Sequence, residues 1–462
     1  MNGSNWKVCK FGGSSLADAE QIRKSADIML QDPLRRIMVV SAPGKRTPHD
    51  SKITDQLIEL AQAIQGGYEF TSIVERIASR YAGIAADLGL HEDFAELVRT
   101  YLNERVGQVS ALNSRQFSDL LMASGEDMCA RLVSAYIRSI GHEVRYVNPM
   151  EAGLTLQYVK GGRVQVHNSS YGKLSELTRT RELIIFPGFF GADEGGKVAV
   201  FSRGGSDITG SILAAAVGAQ VYENWTDVDS VFSTDPKIIP HPHAIKEMTY
   251  TEMRELAYAG FTVLHEEALE PVYHNDIPLQ IRNTNNPYGA GTRIMSKRTD
   301  YDGIITGIAG SKGFVAIRLQ KYLMNREVGF AAAALNVMQE FELPVEHIPT
   351  GIDSLSVVLR ERVFSEAVER QVTARLKDIL DLDDDEITIQ RGIAMVSIVG
   401  DALPRTVGLL ARALVALSEG GINLEFIVQA AGEISVLFGI EEEFCSYAIQ
   451  LLYKCYFSHY QE

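Results

Sequence analysis

The sequence predicts an α/β protein: a mostly parallel sheet covered by helices, followed by two smaller α+β modules. Three observations carry this. Short apolar strands alternate with helical segments over the first 300 residues. Glycine-rich loops, after Phe11, at Gly188 and at Gly204-Gly205, fall at the carboxyl ends of those strands, where open α/β sheets bind ligands. Past a turn-rich stretch between Tyr288 and Ile304 the pattern changes, and its new order then repeats.

The chain opens as strand, loop, helix. The apolar run 8–11 is broken by Gly12, Gly13, Ser14 and Ser15, and Leu16, Ile22, Ala26 and Met29 then recur at helical spacing. Ser15, three residues before Asp18, is the expected helix cap. Residues 37–40 read as a buried strand, and 56–140 as a largely helical excursion covering the site. Strands follow at 142–147, 182–191 and 197–202, then a helix at 206–219 and a strand at 220–225. Beyond the boundary come a strand at 313–319, a helix opening at Gly329, a strand at 354–360 and a helix at 364–380. Residues 394–457 repeat this order, so two βαββα modules in tandem describe 313–388 and 389–462. The acidic run 380–386 reads as a solvated turn.

At about 150 residues per domain, 462 residues suggest roughly three domains. Hydrophobic residues make up 46% and charged residues 22%, an ordinary globular composition. The formal charge is 44 − 59 = −15, with no Lys/Arg cluster, which argues against a nucleic-acid partner and against docking on an anionic membrane. Cys9, Cys129, Cys445 and Cys455 form no Cys-x-x-Cys pair, so no zinc site or disulfide framework is expected. No secretory signal is apparent and no apolar run reaches the ~18 residues of a membrane span, so the expected setting is the cytoplasm.

Four segments can carry chemistry. Lys10-Phe11-Gly12-Gly13-Ser14-Ser15 is either an anion cradle, with a lysine at the strand end and a helix N-terminus behind it, or a glycine-rich turn. The stretch 201–207 puts Arg203 and Asp207 at a second strand exit. Arginine suits bidentate binding of a carboxylate or phosphate, whereas Asp207 also fits a helix cap. Residues 225–229 and 232–237 follow an apolar strand and suit a base and ribose, or an acidic turn. Ser124-Gly125-Glu126-Asp127 interrupts a helical stretch and by itself reads as a helix break. The run 191–197 nearly spells a phosphate loop, but Val198 stands where serine or threonine would hold magnesium.

Together these segments resemble the aspartate kinases. The motifs KFGGSS, Thr54-Asp55 after SAPGK, SGE, FSRGGSD and WTDVDSVFSTDP occur in that family's order and spacing, and the likeness covers essentially the whole chain. It implies the amino acid kinase fold, a three-layer α/β/α sandwich, in residues 1–300, and two ferredoxin-like ACT modules, whose last segment may return to the first. It also implies roles. Lys10 bridges the transferred phosphoryl group and Asp207 orients that lysine. Gly12, Gly13 and Ser14 form the phosphate loop. Arg203 clamps the substrate α-carboxylate with Ser206 beside it, Glu126 lies near the ammonium, and Thr54 offers a hydroxyl on the substrate side. Thr226, Asp227, Phe232, Lys237, Thr262 and Val263 fall where the family contacts ATP. One departure stands out: many members carry a lysine on ATP where this chain has Thr262, which removes a positive charge beside the phosphates.

The implied reaction is ATP-dependent phosphorylation of the β-carboxylate of L-aspartate, with Mg²⁺ on the phosphates. In the family this begins lysine, threonine and methionine biosynthesis. The nucleophile, with an ordinary pKa of about 3.9, is already ionised, so no general base is needed. Catalysis must come from positioning and positive charge. The resemblance further implies a homo-oligomer formed through the ACT modules and an amino acid effector, lysine or threonine, near Gly329, Phe330, Glu346 and Asp353. The alternative is a non-catalytic amino-acid sensor on a degenerate kinase.

Overall fold

The structure, a computed structural model, describes residues 5–159, 164–202, 204–261, 264, 266–299 and 303–458. The chain divides into two compact units. One comprises Met1–Val231, Lys246–Tyr250 and Val263–Thr299; the other comprises Phe232–Ile245, Thr251–Thr262 and Asp300–Glu462.

The first unit runs β1 (Lys7–Phe11), α1 (Ala19–Leu30), β2 (Arg35–Val40), α2 (Ile53–Gln65), α3 (Thr71–Asp87), α4 (Phe94–Val106), α5 (Ser114–Met122), α6 (Ser124–Ser139) and β3 (Val144–Tyr146). It continues with β4 (Leu156–Tyr158), β5 (Val164–Val166), α7 (Ser169–Ser175), β6 (Leu183–Pro187), β7 (Phe190–Ala192), β8 (Val198–Val200), α8 (Gly205–Val217), β9 (Val221–Thr226) and β10 (Glu247–Thr249). Helix α9 (Tyr250–Tyr258) comes next and clusters with the second unit from Thr251 on; α10 (Glu270–His274), β11 (Leu279–Asn283) and β12 (Thr292–Met295) complete the first.

Its main sheet has the order β10-β12-β11-β9-β1-β2-β6-β3. Every pairing is parallel except β11 with β12. Successive side chains on a strand alternate between faces. Cys9, Phe11, Met38, Val40 and Trp225 therefore share one core with apolar residues of α1 to α6. Val8 and Lys10 point the other way, toward α8, which packs on β1, β2 and β9. This is the expected three-layer sandwich. Each fully buried Leu, Ile or Phe in such a core is worth about 1.5–3 kcal/mol.

Two local expectations change. The cap of α1 is Asp18, whose carboxylate accepts from the Gln21 N–H at 3.0 Å. Ser15 is instead buried and hydrogen-bonded to the Thr284 hydroxyl at 2.7 Å. The chain does break at Ala123, between α5 and α6, but the break also delivers a buried carboxylate.

In the second unit follow β13 (Gly307–Gln320), α11 (Phe330–Glu340), β14 (Val345–His347), β15 (Ser354–Arg360), α12 (Glu366–Leu380), β16 (Ile387–Val399), α13 (Leu409–Glu419), β17 (Phe426–Val428), β18 (Ser435–Glu441) and α14 (Cys445–Phe457). They build an antiparallel sheet of order β14-β15-β13-β16-β18-β17. It carries two helical cores. Val315, Ile317 and Leu319 pack with α11 and α12. Ile308, Val396 and Ile398 pack with α13 and α14. The two halves are thus interleaved rather than strictly in tandem: the start of β13 serves the later half. Helix α14 stays with α13 and does not return to the first core.

Helix α9 is held by both halves. Glu252 accepts from Thr306 Oγ1 at 2.5 Å and from the Asp401 N–H at 3.0 Å. Glu255 accepts from Ser435 Oγ at 2.8 Å, and the Tyr258 hydroxyl donates to Glu346. No helix among the described residues is long and apolar enough to cross a membrane.

Candidate active site

The site lies at the carboxyl end of β1 and β9. Lys10 and Asn224 are register partners in this parallel pair, so both side chains stand on the α8 face. Asp207, in the first turn of α8, meets them there. Lys10 Nζ is 2.6 Å from Asp207 Oδ1, and Asn224 Nδ2 donates to the same oxygen at 2.9 Å. Asp207 is therefore not a helix cap; Gly204, in the left-handed region at φ 74°, takes that place. The ion pair is largely shielded, with side chains 10% and 14% exposed.

Beyond Lys10 the chain turns through Gly12, Gly13 and Ser14, all half-buried, into a short 3₁₀ turn. The Gly12 N–H bonds the Trp225 carbonyl at 3.1 Å. A side chain on Gly12 would stand 3.5 Å from Lys10 Nζ, in the space over the lysine that a phosphate needs.

Glu126, in the first turn of α6, is 5% exposed. Burial pushes its pKa up to about 8, against hydrogen bonds from the backbone N–H groups of Ala42 and Glu126 itself and the charge of Lys10. Its Oε2 has no hydrogen-bond partner among the described residues. A buried acceptor left open in this way is ready for a cationic donor. Its neighbour Asp127 is the contrast, taken up by the hydroxyls of Tyr101 and Tyr146 and by Arg131 at 3.3 Å.

Ser206 is buried beside Asp207, and Thr54 is the half-buried second residue of α2. Thr226 Oγ1 donates to Asp227 Oδ1 at 3.1 Å where β9 ends. That exit is tied to the exit of β11 by the Thr284 N–H on the Thr226 carbonyl, at 2.9 Å. Lys10, Asp207, Gly12, Gly13, Ser14, Thr54, Glu126, Ser206, Thr226 and Asp227 thus all belong to the first unit. Phe232 and Lys237 belong to the second, where Phe232 bridges Ala244 and the Lys237 N–H bonds Asp235 at 2.9 Å. Arg203, Thr262 and Val263 lie outside the described residues.

In the second unit, Gly329 caps α11 with φ 95° and Phe330 is buried in the core. Asp353 Oδ1 accepts from the Leu323 N–H at 2.9 Å. Glu346 is engaged by Tyr258 and by Arg360 at 3.5 Å. The sequence reading missed Asn224. Its signal was two polar residues, Glu223 and Asn224, inside an otherwise apolar strand.

Residues 5–283 match the Amino acid kinase family, and residues 396–456 match an ACT domain. Aspartokinase 3 of Bacillus subtilis is 45% identical over 98% of this chain and 99% of its own length. The lysine-sensitive aspartokinase 3 of Escherichia coli is 26% identical over 97% and 98%. The crystal structure of Clostridium acetobutylicum aspartate kinase superposes with a TM-score of 0.84 at 35% identity, over 97% of this chain and all of that one. Identity at that level, across nearly the full length of both chains and on a shared fold, places this protein in the aspartokinase branch of the amino acid kinase family.

Proposed function

We propose that the protein transfers the γ-phosphoryl group of ATP to the β-carboxylate of L-aspartate, giving 4-phospho-L-aspartate and ADP. The observation that carries this reading is the Lys10–Asp207 pair set over a glycine turn at the strand ends. Lys10 presents its ammonium to the phosphoryl group in flight, and Asp207 with Asn224 fixes where that ammonium sits. The N–H groups of the 12–14 turn face the phosphates. Glu126 takes the aspartate ammonium on its open oxygen, while Thr54, Ser206 and Arg203 hold the rest of the substrate. Thr226, Asp227, Phe232, Lys237, Thr262 and Val263 serve the nucleotide. Mg²⁺ enters as the counter-ion of the ATP phosphates.

Identity of 45% to an aspartokinase favours this enzyme over a non-catalytic sensor. The six-stranded unit is the regulatory part and takes an amino acid end product. Lysine is the first choice, since the Escherichia coli relative is lysine-sensitive. Gly329, Phe330, Glu346 and Asp353 mark the effector region, and the same modules join subunits of a cytoplasmic homo-oligomer.

The test is an acyl-phosphate trap. Protein, Mg·ATP and L-aspartate incubated with hydroxylamine should yield aspartyl hydroxamate, with L-glutamate as control and with lysine or threonine added in parallel arms. No hydroxamate at any ATP concentration would remove the kinase reading. Product unaffected by either amino acid would remove the effector assignment alone.

A further inference from the structure

Arg80 lies on α3, in the helical excursion and far from every motif in the sequence. It is nonetheless buried, 8% exposed, and spends its guanidinium on loops of the site. One terminal nitrogen donates to the Ala17 carbonyl at 2.8 Å and to the Gly44 carbonyl at 2.9 Å; the other reaches Asp50 Oδ2 at 2.6 Å. Ala17 closes the turn that begins at Gly12. Gly44 and Asp50 belong to the loop between β2 and α2. The planar fork of arginine suits such a three-way tie, which lysine cannot reproduce.

That loop touches three parts of the site within a few residues. Ala42 packs on the first turn of α6: a Cβ at Gly125, next to Glu126, would come within 2.8 Å of the Ala42 Cβ. The Pro43 carbonyl accepts from the Ile53 N–H at 3.3 Å, at the start of the helix bearing Thr54. The Gly44 N–H bonds the Gly13 carbonyl at 2.9 Å. A Cβ at Gly44 would come within 2.6 Å of the Gly13 carbonyl carbon, so the two backbones are in direct contact. Asp50 is a fixed anchor: hydrogen bonds from Arg46 and, against the cost of burial, from Arg80 hold its carboxyl well below the usual carboxylate range.

We propose that Arg80 is a positioning residue for phosphoryl transfer, clamping the loop that leads into the Thr54 helix and lies against the first turn of α6, which bears Glu126, onto the turn that cradles the phosphates. The inference rests on the aspartate kinase reading. It goes further by assigning the alignment of the two substrate half-sites to a residue that touches neither substrate. Misplacement of reacting groups by about 1 Å can cost on the order of 10²-fold in rate.

The experiment compares the full-length wild type with Arg80→Ala, Arg80→Lys and Asp50→Asn, measuring kcat, both KM values and Tm. Arg80→Ala should lower kcat by about tenfold or more, with both KM values changed less than about threefold. Millimolar methylguanidinium should restore part of that kcat and leave the wild type unchanged. Asp50→Asn, which weakens one of the two ties of Arg80 to the loop, should lower kcat by about twofold to fivefold. A packing role alone would lower Tm with activity lost only in proportion to unfolded protein, and methylguanidinium would do nothing; that outcome overturns the proposal. Should Arg80→Ala fail to fold, wild-type kcat in both Arg80→Lys and Asp50→Asn overturns it equally. A wild type that makes no aspartyl hydroxamate removes the kinase reading and this inference with it, whereas an active wild type with indifferent variants removes only the inference.

Discussion

Two buried glutamates of the first unit differ in one respect. Glu223, on β9, is 1% exposed and surrounded by donors. Arg35 Nε and Trp225 Nε1 reach Oε2 at 2.9 and 3.0 Å, and Arg282 and Lys7 stand 3.8 Å from Oε1. The Arg35 and Arg282 guanidiniums lie 5.2 and 4.7 Å from the centre of the Trp225 ring, which stacks on Phe11 at 5.9 Å. Glu126 is also buried but keeps an oxygen without a partner among the described residues. A buried carboxylate whose every lone pair is met holds the fold together. One left short is waiting for something the fold does not contain.

Four substitutions break or sharpen this contrast. Glu223→Ala should cost the most, about 3–5 kcal/mol of stability, because it strands several buried cations. Denaturant unfolding measures it, and kcat of the folded fraction should stay near wild type. Lys10→Ala should cost less stability than that, since Asp207 keeps its hydrogen bond from Asn224, and lower kcat by about 10²–10³-fold, the cost of removing one pre-set donor from the transferring group. Glu126→Gln should raise the KM for aspartate about tenfold or more, matching the loss of a charged hydrogen bond of about 1.5–3 kcal/mol, while the KM for ATP barely moves. Asn224→Ala frees one side of Asp207 and should lower kcat only about threefold to tenfold. A Glu126→Gln protein as unstable as Glu223→Ala, with unchanged aspartate kinetics, would erase the distinction between the two acids.

The sequence made the loops legible because their chemistry is local. Gly12 and Gly13 after a strand, and Gly204, Gly205 and Asp207 before a helix, carry their geometry with them. Asn224 was legible in principle, as a polar residue in a buried strand, but its meaning depends on the register that sets it beside Lys10. Arg80 was not legible at all: two of its three acceptors are backbone carbonyls, at Ala17 and Gly44, which no side-chain pattern announces. The start of β13 was hidden for a different reason. The sequence reading begins this strand at Gly313, whereas β13 begins at Gly307, and side chains at Gly307 and Gly310 would collide with Leu256 and Ile449, at 2.9 and 2.8 Å. The glycines are strand residues made small by close packing, and a strand begun at Gly313 leaves out the part of β13 that serves the later half.

The most direct test of the account is the pH dependence of kcat/KM for aspartate. Burial keeps Glu126 protonated in the free protein up to about pH 8, and it must lose that proton to receive an ammonium as a carboxylate. Binding is therefore weakened as pH falls below about 8. The account predicts that kcat/KM rises between pH 6 and 8, by up to about tenfold per unit, then levels off, and that Glu126→Gln abolishes the slope. A flat wild-type profile, or a slope that survives in Glu126→Gln, would contradict the assignment of the unpaired acid to the substrate.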